Sequence, residues 1–207
     1  GTSAACKARR NDIEAEIVIY EKDSDISYSG CGLPYYIGLD YIKRENIIFR
    51  DPKWFKDRFD IDIKTRSEVL DIDPKNKILS VKNLDTNEIY KDGYDKLILA
   101  TGARPIKPPV EGIESSNVFF LRNVTDADKI KNFIDKNHPQ KAVIIGGGFI
   151  GLEVLENFHS LGIETTVIEM KDQLMFGFDK DVTVYLEDYL KKKNITLILN
   201  DAVKKIE

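Results

Sequence analysis

One cysteine of this chain lies in a short segment that is rich in glycine and aromatic residues. Residues 27–36 read Ser-Tyr-Ser-Gly-Cys-Gly-Leu-Pro-Tyr-Tyr, so that Cys31 has a glycine on each side. Glycine has no Cβ and lets a backbone or a flat ligand come close. The thiolate is the reactive form of cysteine, and the N–H groups at a helix start favour it. A helix that starts near Cys31 would therefore indicate a reactive sulfur, and the alternative is a buried, inert thiol.

A second segment has the spacing of a dinucleotide-binding turn. Gly146, Gly148 and Gly151 fit the pattern G-x-G-x-x-G. The first glycine allows a tight turn, the second lets the backbone approach a pyrophosphate, and the third lets the helix pack on the strand. An apolar strand is predicted just before the turn, at 142–145, and a helical pattern follows it to about Leu161. This context predicts dinucleotide binding, and the alternative is a glycine-rich turn of some other α/β protein.

An acidic residue ends the strand that follows this helix. The strand is predicted over residues 165–169, and Glu169 stands at roughly the spacing of the carboxylate that contacts the adenosine ribose in such units. A carboxylate there would accept from a ribose 2′-hydroxyl and repel a 2′-phosphate. The pattern therefore favours NADH over NADPH. The positive charge of Lys171, two residues further on, would reduce this preference.

The elements that must position these residues alternate between helices and strands. A helix is expected over residues 1–10, and an apolar strand then ends at Glu21, which is the second half of a βαβ unit. A proline-rich stretch at 104–109 indicates a crossover between two domains, because proline stiffens a connection. Thr125 is a candidate cap for a later helix. The other predicted elements are antiparallel strands at 68–72, 78–82 and 88–90, a buried strand at 96–99, and helices at 54–59, 126–136 and 179–193.

The composition indicates a globular enzyme of ordinary character. The 207 residues are 42% hydrophobic and 32% charged, which suits one large domain or two ordinary ones. A net charge of −4 does not draw in nucleic acid, and no apolar stretch approaches the ~20 residues of a membrane span. Two cysteines do not form a disulfide framework, and no metal site is expected. The cytoplasm, which is reducing, is the expected location.

Taken together, these segments resemble the FAD-dependent pyridine nucleotide–disulfide oxidoreductases. The resemblance is to the branch with a single active-site cysteine, which comprises coenzyme A disulfide reductases, NADH oxidases and NADH peroxidases. Its specific part is Cys-Gly-Leu-Pro-Tyr-Tyr at 31–36. It implies an α/β fold of two Rossmann-like three-layer nucleotide-binding domains, with parallel sheets and small antiparallel insertions. An FAD-binding domain is expected at 1–109 and an NAD(P)H-binding domain at 110–207, both incomplete, with a homodimer formed through a further C-terminal domain.

The resemblance also implies roles for individual residues. Cys31 would be the catalytic residue, and electrons would reach it from NADH, or from NADPH, through FAD. Gly1 would be the last glycine of the flavin-binding turn, and Glu21 would bind the adenosine ribose of FAD. Coenzyme A, as substrate or as a mixed disulfide, would contact Ser3, Lys7, Arg10 and Ser27. The full set of implied cofactor-binding residues is Gly1, Glu21, Lys22, Ala100, Thr101, Gly102, Gly146, Gly147, Gly148, Phe149, Ile150, Gly151, Glu153 and Glu169.

The sequence leaves two classes of electron acceptor as alternatives. A disulfide or persulfide reductase needs only one protein cysteine, because the substrate supplies the second sulfur. In an oxidase or peroxidase, Cys31 would instead cycle through a sulfenic acid. The Pro-Tyr-Tyr run at 34–36 favours the disulfide reductase, whereas Gly30 and Phe59 depart from one reductase pattern and Gly30 suits the oxidase branch. Cys6, in an alanine-rich helix, is interpreted as packing. A nucleotide-binding redox sensor or a catalytically inactive fragment is the alternative from another class.

Overall fold

A computed structural model describes residues 1–207. The chain divides into two compact units: the first comprises residues 1–29 and 48–103, and the second comprises residues 30–47 and 104–207. The division after residue 103 coincides with the start of the proline-rich crossover. Residues 30–47, which include Cys31, group with the second unit. The ligand-based domains at 1–109 and 110–207 stay a prediction.

Seven helices and ten strands, labelled here in chain order, form these units. The helices are α1 (Thr2–Asn11), α2 (Leu33–Gly38), α3 (Arg44–Ile47), α4 (Pro52–Phe59), α5 (Val124–Asn137), α6 (Phe149–Ser160) and α7 (Lys180–Lys192). The strands are β1 (Val18–Tyr20), β2 (Ser27–Tyr28), β3 (Ile48–Arg50), β4 (Asp62–Lys64), β5 (Ser67–Asp73), β6 (Ile78–Asn83), β7 (Ile89–Gly93), β8 (Lys141–Ile145), β9 (Glu164–Glu169) and β10 (Thr196–Leu199). None of the helices has both the length and the apolar character that a membrane span requires.

In the first unit, α1 and α4 share one apolar cluster, to which side chains of β1 and β4 also contribute. Strand β1 pairs in parallel with β4, so that Tyr20 lies opposite Lys64. Helix α4 begins where the Asp51 side chain accepts from the N–H of Trp54, which satisfies one of the free donors of its first turn. The cluster contains Ala5, Cys6, Phe55 and Ile61 as buried residues, with Ile17, Ile19, Ile26, Trp54, Phe59 and Ile63 packed against them. Burial of Cys6 in this cluster confirms that it is a packing residue.

An antiparallel sheet of β5, β6 and β7 is the small insertion that the sequence predicted. Strand β6 is central and pairs with both neighbours. The first turn is closed by Asp73, whose Oδ1 accepts from the backbone N–H groups of Lys75 and Asn76. The sheet is tied to β1 by the hydroxyl of Tyr20, which donates to the Asp92 carboxylate on β7. That bond and burial raise the pKa of Tyr20, so that the phenol stays protonated.

The prediction of a buried strand at 96–99 is wrong for this structure. These residues form no strand, and Ile98 and Leu99 are 63% and 68% exposed. A strand gains its stability from the ladder of hydrogen bonds to a neighbour. No strand of the described chain pairs with this segment, so its apolar side chains stay exposed.

The second unit is built on a parallel three-stranded sheet in the order β10-β9-β8. Strand β8 leads into α6 and back to β9, and β9 leads into α7 and back to β10, which is the alternation that predicts a parallel sheet. The core of this unit consists of Ile144, Leu155, Val167, Leu174, Leu190 and Ile195. The α/β class, with parallel sheets and an antiparallel insertion, is therefore confirmed. The cap of α5 is Asn123, which accepts from the N–H of Asp126, rather than Thr125.

Candidate nucleotide-binding turn and cysteine site

The glycine turn joins β8 to α6 and leaves the start of that helix uncapped. Gly146 has φ +107°, a conformation that a residue with a Cβ rarely adopts. Gly148 is the N-cap of α6, and no side chain accepts from the first N–H groups of the helix. Such groups carry partial positive charge and bind phosphates. The turn therefore fits a pyrophosphate.

The glycines of this turn differ in what a side chain would meet. A Cβ at Gly151 would collide with the carbonyl oxygen of Gly146, and one at Gly147 would collide with the side chain of Leu174. The fold itself therefore requires glycine at 151, where the obstacle is backbone, whereas the obstacle at 147 is the end of a side chain. A Cβ at Gly148 would meet nothing within 4 Å, and its φ of −86° suits any residue. Nothing in the protein requires glycine at 148, which is the position where a bound pyrophosphate would come closest.

Glu169 has a structural role that the sequence did not reveal. Its Oε2 accepts from the backbone N–H of Gly147 at 2.8 Å, and its Oε1 accepts from the N–H of Lys171 at 2.7 Å. The carboxylate thus connects the end of β9 to the glycine turn. Each carboxylate oxygen can accept more than one hydrogen bond, so the group keeps capacity for a ribose hydroxyl.

Apolar side chains surround the start of α6. Phe149 and Ile150 are exposed, and the ring of Phe149 lies edge-on to that of Phe178 with centroids 5.9 Å apart. Glu153, one turn further along α6, is half-buried. Exposed aromatic rings beside a phosphate-binding turn are suited to cover the flat parts of a dinucleotide.

In the first unit, the structure brings together the ends of two predicted cofactor-binding segments. Gly1 is the N-cap of α1 without a side-chain cap, and a Cβ on it would stand 3.6 Å from the Cβ of Ala100. Thr101 and Gly102 follow as exposed residues, and Gly102 has φ +67°. An open helix start beside a glycine-containing loop fits a phosphate group.

Glu21 lies just after β1 in a well-defined loop. Its backbone N–H donates to the carbonyl of Lys64, and its carboxylate accepts from the N–H of Asp23 at 3.0 Å. The neighbouring Lys22 is exposed. The carboxylate of Glu21 is half-buried and oriented, as a ribose-binding acid requires.

Three of the predicted coenzyme A contacts share an exposed face of α1. Ser3, Lys7 and Arg10 are all exposed, and Nε of Arg10 donates to the carbonyl of Cys6 at 3.2 Å. Ser27 is half-buried in β2 and pairs with Arg50 of β3. Phe59, where a substrate-contacting lysine stands in one reductase pattern, packs its ring on Trp54 and is part of the core.

Cys31 is the exposed thiol of the chain, and it forms no disulfide. It lies in a 3₁₀ turn over Gly30–Gly32, and α2 begins at Leu33. A helix does start near Cys31, which was the condition for a reactive sulfur, although this helix has only six residues. Five of those six residues are buried: Leu33, Pro34, Tyr36, Ile37 and Gly38. The turn thus presents its sulfur to solvent while the helix behind it is anchored.

Sequence reasoning missed the residues that anchor α2. The hydroxyl of Tyr36 donates to Oδ1 of Asp128 on α5 at 2.7 Å, and Nε of Arg44 donates to Oδ2 of the same carboxylate at 3.0 Å. Burial and this hydrogen bond raise the pKa of Tyr36 to about 12, so the phenol remains a donor. Tyr36 belonged to the cysteine motif, but its partner is 92 residues away and carries no local signal.

Comparisons with known proteins agree with this geometry. A family model described as pyridine nucleotide-disulphide oxidoreductase matches residues 1–207. A coenzyme A disulfide reductase of Staphylococcus haemolyticus is 38% identical over 207 residues, which are 100% of this chain and 46% of the relative. The chain thus spans about half the length of the curated relatives it matches.

Solved structures also match the whole chain, and two of them are at least 37% identical to it. The reduced CoADR-RHD of Bacillus anthracis has a TM-score of 0.96 at 41% identity, and this chain covers 37% of it. An NAD-dependent persulfide reductase from A. fulgidus has a TM-score of 0.94 at 37% identity, with 38% of that chain covered. With a family model that spans every residue, this protein belongs to the pyridine nucleotide-disulphide oxidoreductase family.

Proposed function

We propose that this chain is part of an enzyme that passes electrons from NADH through FAD to Cys31, which then reduces coenzyme A disulfide or a related disulfide or persulfide. The observation that carries the proposal is the contrast between the two cysteines. Cys31 is exposed between two glycines, whereas Cys6 is buried in an apolar cluster. A single accessible thiol suits a reaction in which the second sulfur comes from the substrate.

The sulfur chemistry follows from thiol–disulfide exchange. The Cys31 thiolate attacks one sulfur of the substrate, the substrate S–S bond breaks, and one thiolate leaves while a mixed disulfide forms on Cys31. Two electrons and two protons then return the mixed disulfide to a Cys31 thiol and a second product thiol. Overall, NADH, one proton and one disulfide give NAD⁺ and two thiols.

The cofactors would be held by the two open helix starts. NADH would place its pyrophosphate on the turn at Gly146–Gly148 and its ribose at Glu169. FAD would place its phosphates at Gly1 and its ribose at Glu21. When bound, FAD supplies electron transfer between the nicotinamide and sulfur. The protein's part is to bind and orient both groups and to present Cys31.

The exposed face of α1 supports coenzyme A as the substrate. Lys7 and Arg10 are exposed cations one turn apart, and Ser3 precedes them on the same face. Charge-assisted hydrogen bonds from such a face suit the phosphates of a nucleotide. The coenzyme A disulfide reductase among the relatives favours the same substrate.

A peroxidase or oxidase is the second candidate. Cys31 is exposed, so a small oxidant can reach this residue from solvent. In that reaction Cys31 would be oxidised to a sulfenic acid by peroxide and then reduced.

The test is NADH consumption by the full-length, FAD-loaded protein without oxygen. Consumption that requires added coenzyme A disulfide supports the proposal. Consumption that begins only when oxygen or peroxide is admitted supports the second candidate. If neither acceptor is consumed, both enzyme proposals fail and a redox sensor or an inactive binding protein is left. Light scattering of the same sample tests the proposed homodimer.

Two replacements of Glu169 test its charge and its hydrogen-bond acceptors at the nucleotide site. We expect Glu169→Gln to raise use of NADPH relative to NADH by about tenfold, since it removes the charge that repels a 2′-phosphate. Glu169→Ala should lower the thermal stability more than Glu169→Gln, because alanine removes the acceptors of both Gly147 and Lys171, whereas glutamine keeps one oxygen. The measurement is kcat/KM for both nucleotides with melting temperatures. An unchanged NADH-to-NADPH ratio in both variants would remove Glu169 from ribose recognition.

A further inference from the structure

We infer that Tyr36 and Asp128 are a positioning pair that fixes the Cys31 turn against helix α5 of its own unit. This inference rests on the proposed role of Cys31. The two residues bind each other and act on the sulfur only through α2, so they are positioning residues rather than catalytic ones.

The need for such a pair comes from the flexibility of the cysteine segment. Cys31 lies between Gly30 and Gly32, and each glycine widens the range of backbone conformations that the segment can adopt. The 3₁₀ turn is only three residues long. A short turn of this kind does not hold a side chain by itself, so the orientation of the sulfur must be imposed by the element that follows.

Helix α2 is that element, and α5 holds it by a directional bond. Tyr36 is 8% exposed, so its hydroxyl would lose hydration without compensation unless it found a partner. It finds Asp128 at 2.7 Å. A phenylalanine ring would fill the same space, so the hydroxyl of Tyr36 adds no packing. Its contribution is a directional hydrogen bond that orients α2. Because Arg44 binds the other oxygen of Asp128, the carboxylate is held on both sides.

A lysine of α5 adds a second contact between the same two helices. Nζ of Lys131 lies 3.4 Å from the carbonyl of Ile37, within hydrogen-bond reach, and 5.7 Å from the ring centroid of Tyr36. It also lies 3.8 Å from the carboxylate of Asp40. The carbonyls at the end of a short helix lack intrahelical partners, and this lysine supplies one. The end of α2 is therefore fixed to α5 as well.

Helix α6 holds α2 on another side. A Cβ at Gly38 would collide with the side chain of Asn157, which shows how closely the two helices approach. Asn157 is buried and donates to the carbonyl of Glu153 at 2.7 Å. The same helix begins at the glycine turn, about 14 Å of helix rise before Asn157. The segment that carries Cys31 is thus built onto the helix that would receive the nucleotide.

Loss of the Tyr36–Asp128 bond should therefore slow the sulfur step and spare the nucleotide step. In the full-length, FAD-loaded enzyme we expect Tyr36→Phe and Asp128→Ala each to lower kcat with coenzyme A disulfide by roughly tenfold, since small displacements of reacting groups are costly. Alanine is chosen at 128 because an asparagine would keep an oxygen that accepts from the Tyr36 hydroxyl. The double variant should lose no more than the stronger single one, because both remove the same bond. The rate at which NADH reduces the bound flavin should stay unchanged.

Tyr185→Phe is the matched control. Tyr185 is on α7 of the same unit and is 79% exposed. The substitution removes the same phenolic oxygen as Tyr36→Phe does, but from an exposed side chain without a positioning role. This variant should keep the wild-type kcat. A kcat that is unchanged in Tyr36→Phe and Asp128→Ala, or one that falls in parallel with flavin reduction and melting temperature, would overturn the inference.

Hydrogen exchange separates this inference from the proposed function. Amides of residues 30–38 should exchange about tenfold faster in Tyr36→Phe than in the wild type or in Tyr185→Phe, because local opening becomes easier. If the wild-type enzyme does not reduce the disulfide, the proposed function fails, and the exchange rates alone decide the positioning role. Equal exchange in all three proteins would exclude that role.

Discussion

Replacing Cys31 by serine is expected to lower disulfide turnover by more than about a thousandfold, as removal of a nucleophile does in other enzymes. A serine hydroxyl does not form the mixed disulfide through which thiol–disulfide exchange proceeds. Reduction of the bound flavin by NADH should continue at the wild-type rate, because no residue of the glycine turn has changed. The two rates are measured on the full-length protein by stopped-flow absorbance without oxygen.

The control for this experiment is the other cysteine. Cys6 is buried beside Ala5, Phe55 and Ile61, so Cys6→Ala removes a sulfur without touching an exposed residue. It should keep full turnover. Alkylation of the native protein, followed by peptide mapping of residues 1–207, should label Cys31 in the wild type and in Cys6→Ala, and no residue of this range in Cys31→Ser. Full disulfide activity in Cys31→Ser would exclude Cys31 from the mechanism and with it the proposed function.

The second large effect is expected at Gly148. We expect Gly148→Ala to weaken NADH binding by more than about tenfold, because the new methyl group would stand where the pyrophosphate approaches the backbone. The fold should not change, since a Cβ at this position meets nothing within 4 Å and the φ of −86° is ordinary. Calorimetric titration with NADH measures the affinity, and thermal unfolding without nucleotide measures the stability.

Gly151→Ala is the matched comparison for Gly148→Ala. Its Cβ would collide with the carbonyl oxygen of Gly146, so we expect a loss of stability of about 1–3 kcal/mol, as in other overpacked sites. The two variants thus add the same methyl group, but Gly148→Ala should weaken NADH binding, whereas Gly151→Ala should destabilise the fold. If Gly148→Ala bound NADH as tightly as the wild type, the turn would not be the pyrophosphate site.

Local patterns predicted much of the second unit. The glycine spacing at 146–151, the apolar strand before it and the helix after it are all present as β8, the turn and α6. These features depend on neighbours within a few residues, so their signal is in the local sequence. The strands expected at 68–72, 78–82 and 88–90 are likewise present in the antiparallel sheet, and the Asp73 side chain closes the turn between the first two.

Partners distant in the chain were outside the reach of such patterns. The strand expected at 96–99 failed because an apolar run does not show whether another strand pairs with it. The helix cap at Asn123 was missed in favour of Thr125, because both residue types cap helices and only the backbone geometry chooses between them. The role of Glu169 in closing the glycine turn was also missed, because its partner Gly147 is 22 residues away.

By itself, the sequence determined the α/β class, the glycine turn, the single candidate nucleophile and the resemblance to a redox family. The tertiary structure alone decided that residues 30–47 group with the second unit and that Tyr36 binds Asp128 across 92 residues. It also decided which glycines the fold requires and which it leaves open to a ligand. The physical reason is that turns and helices are set by neighbouring residues, whereas burial, pairing and free space depend on side chains that only the folded chain brings together.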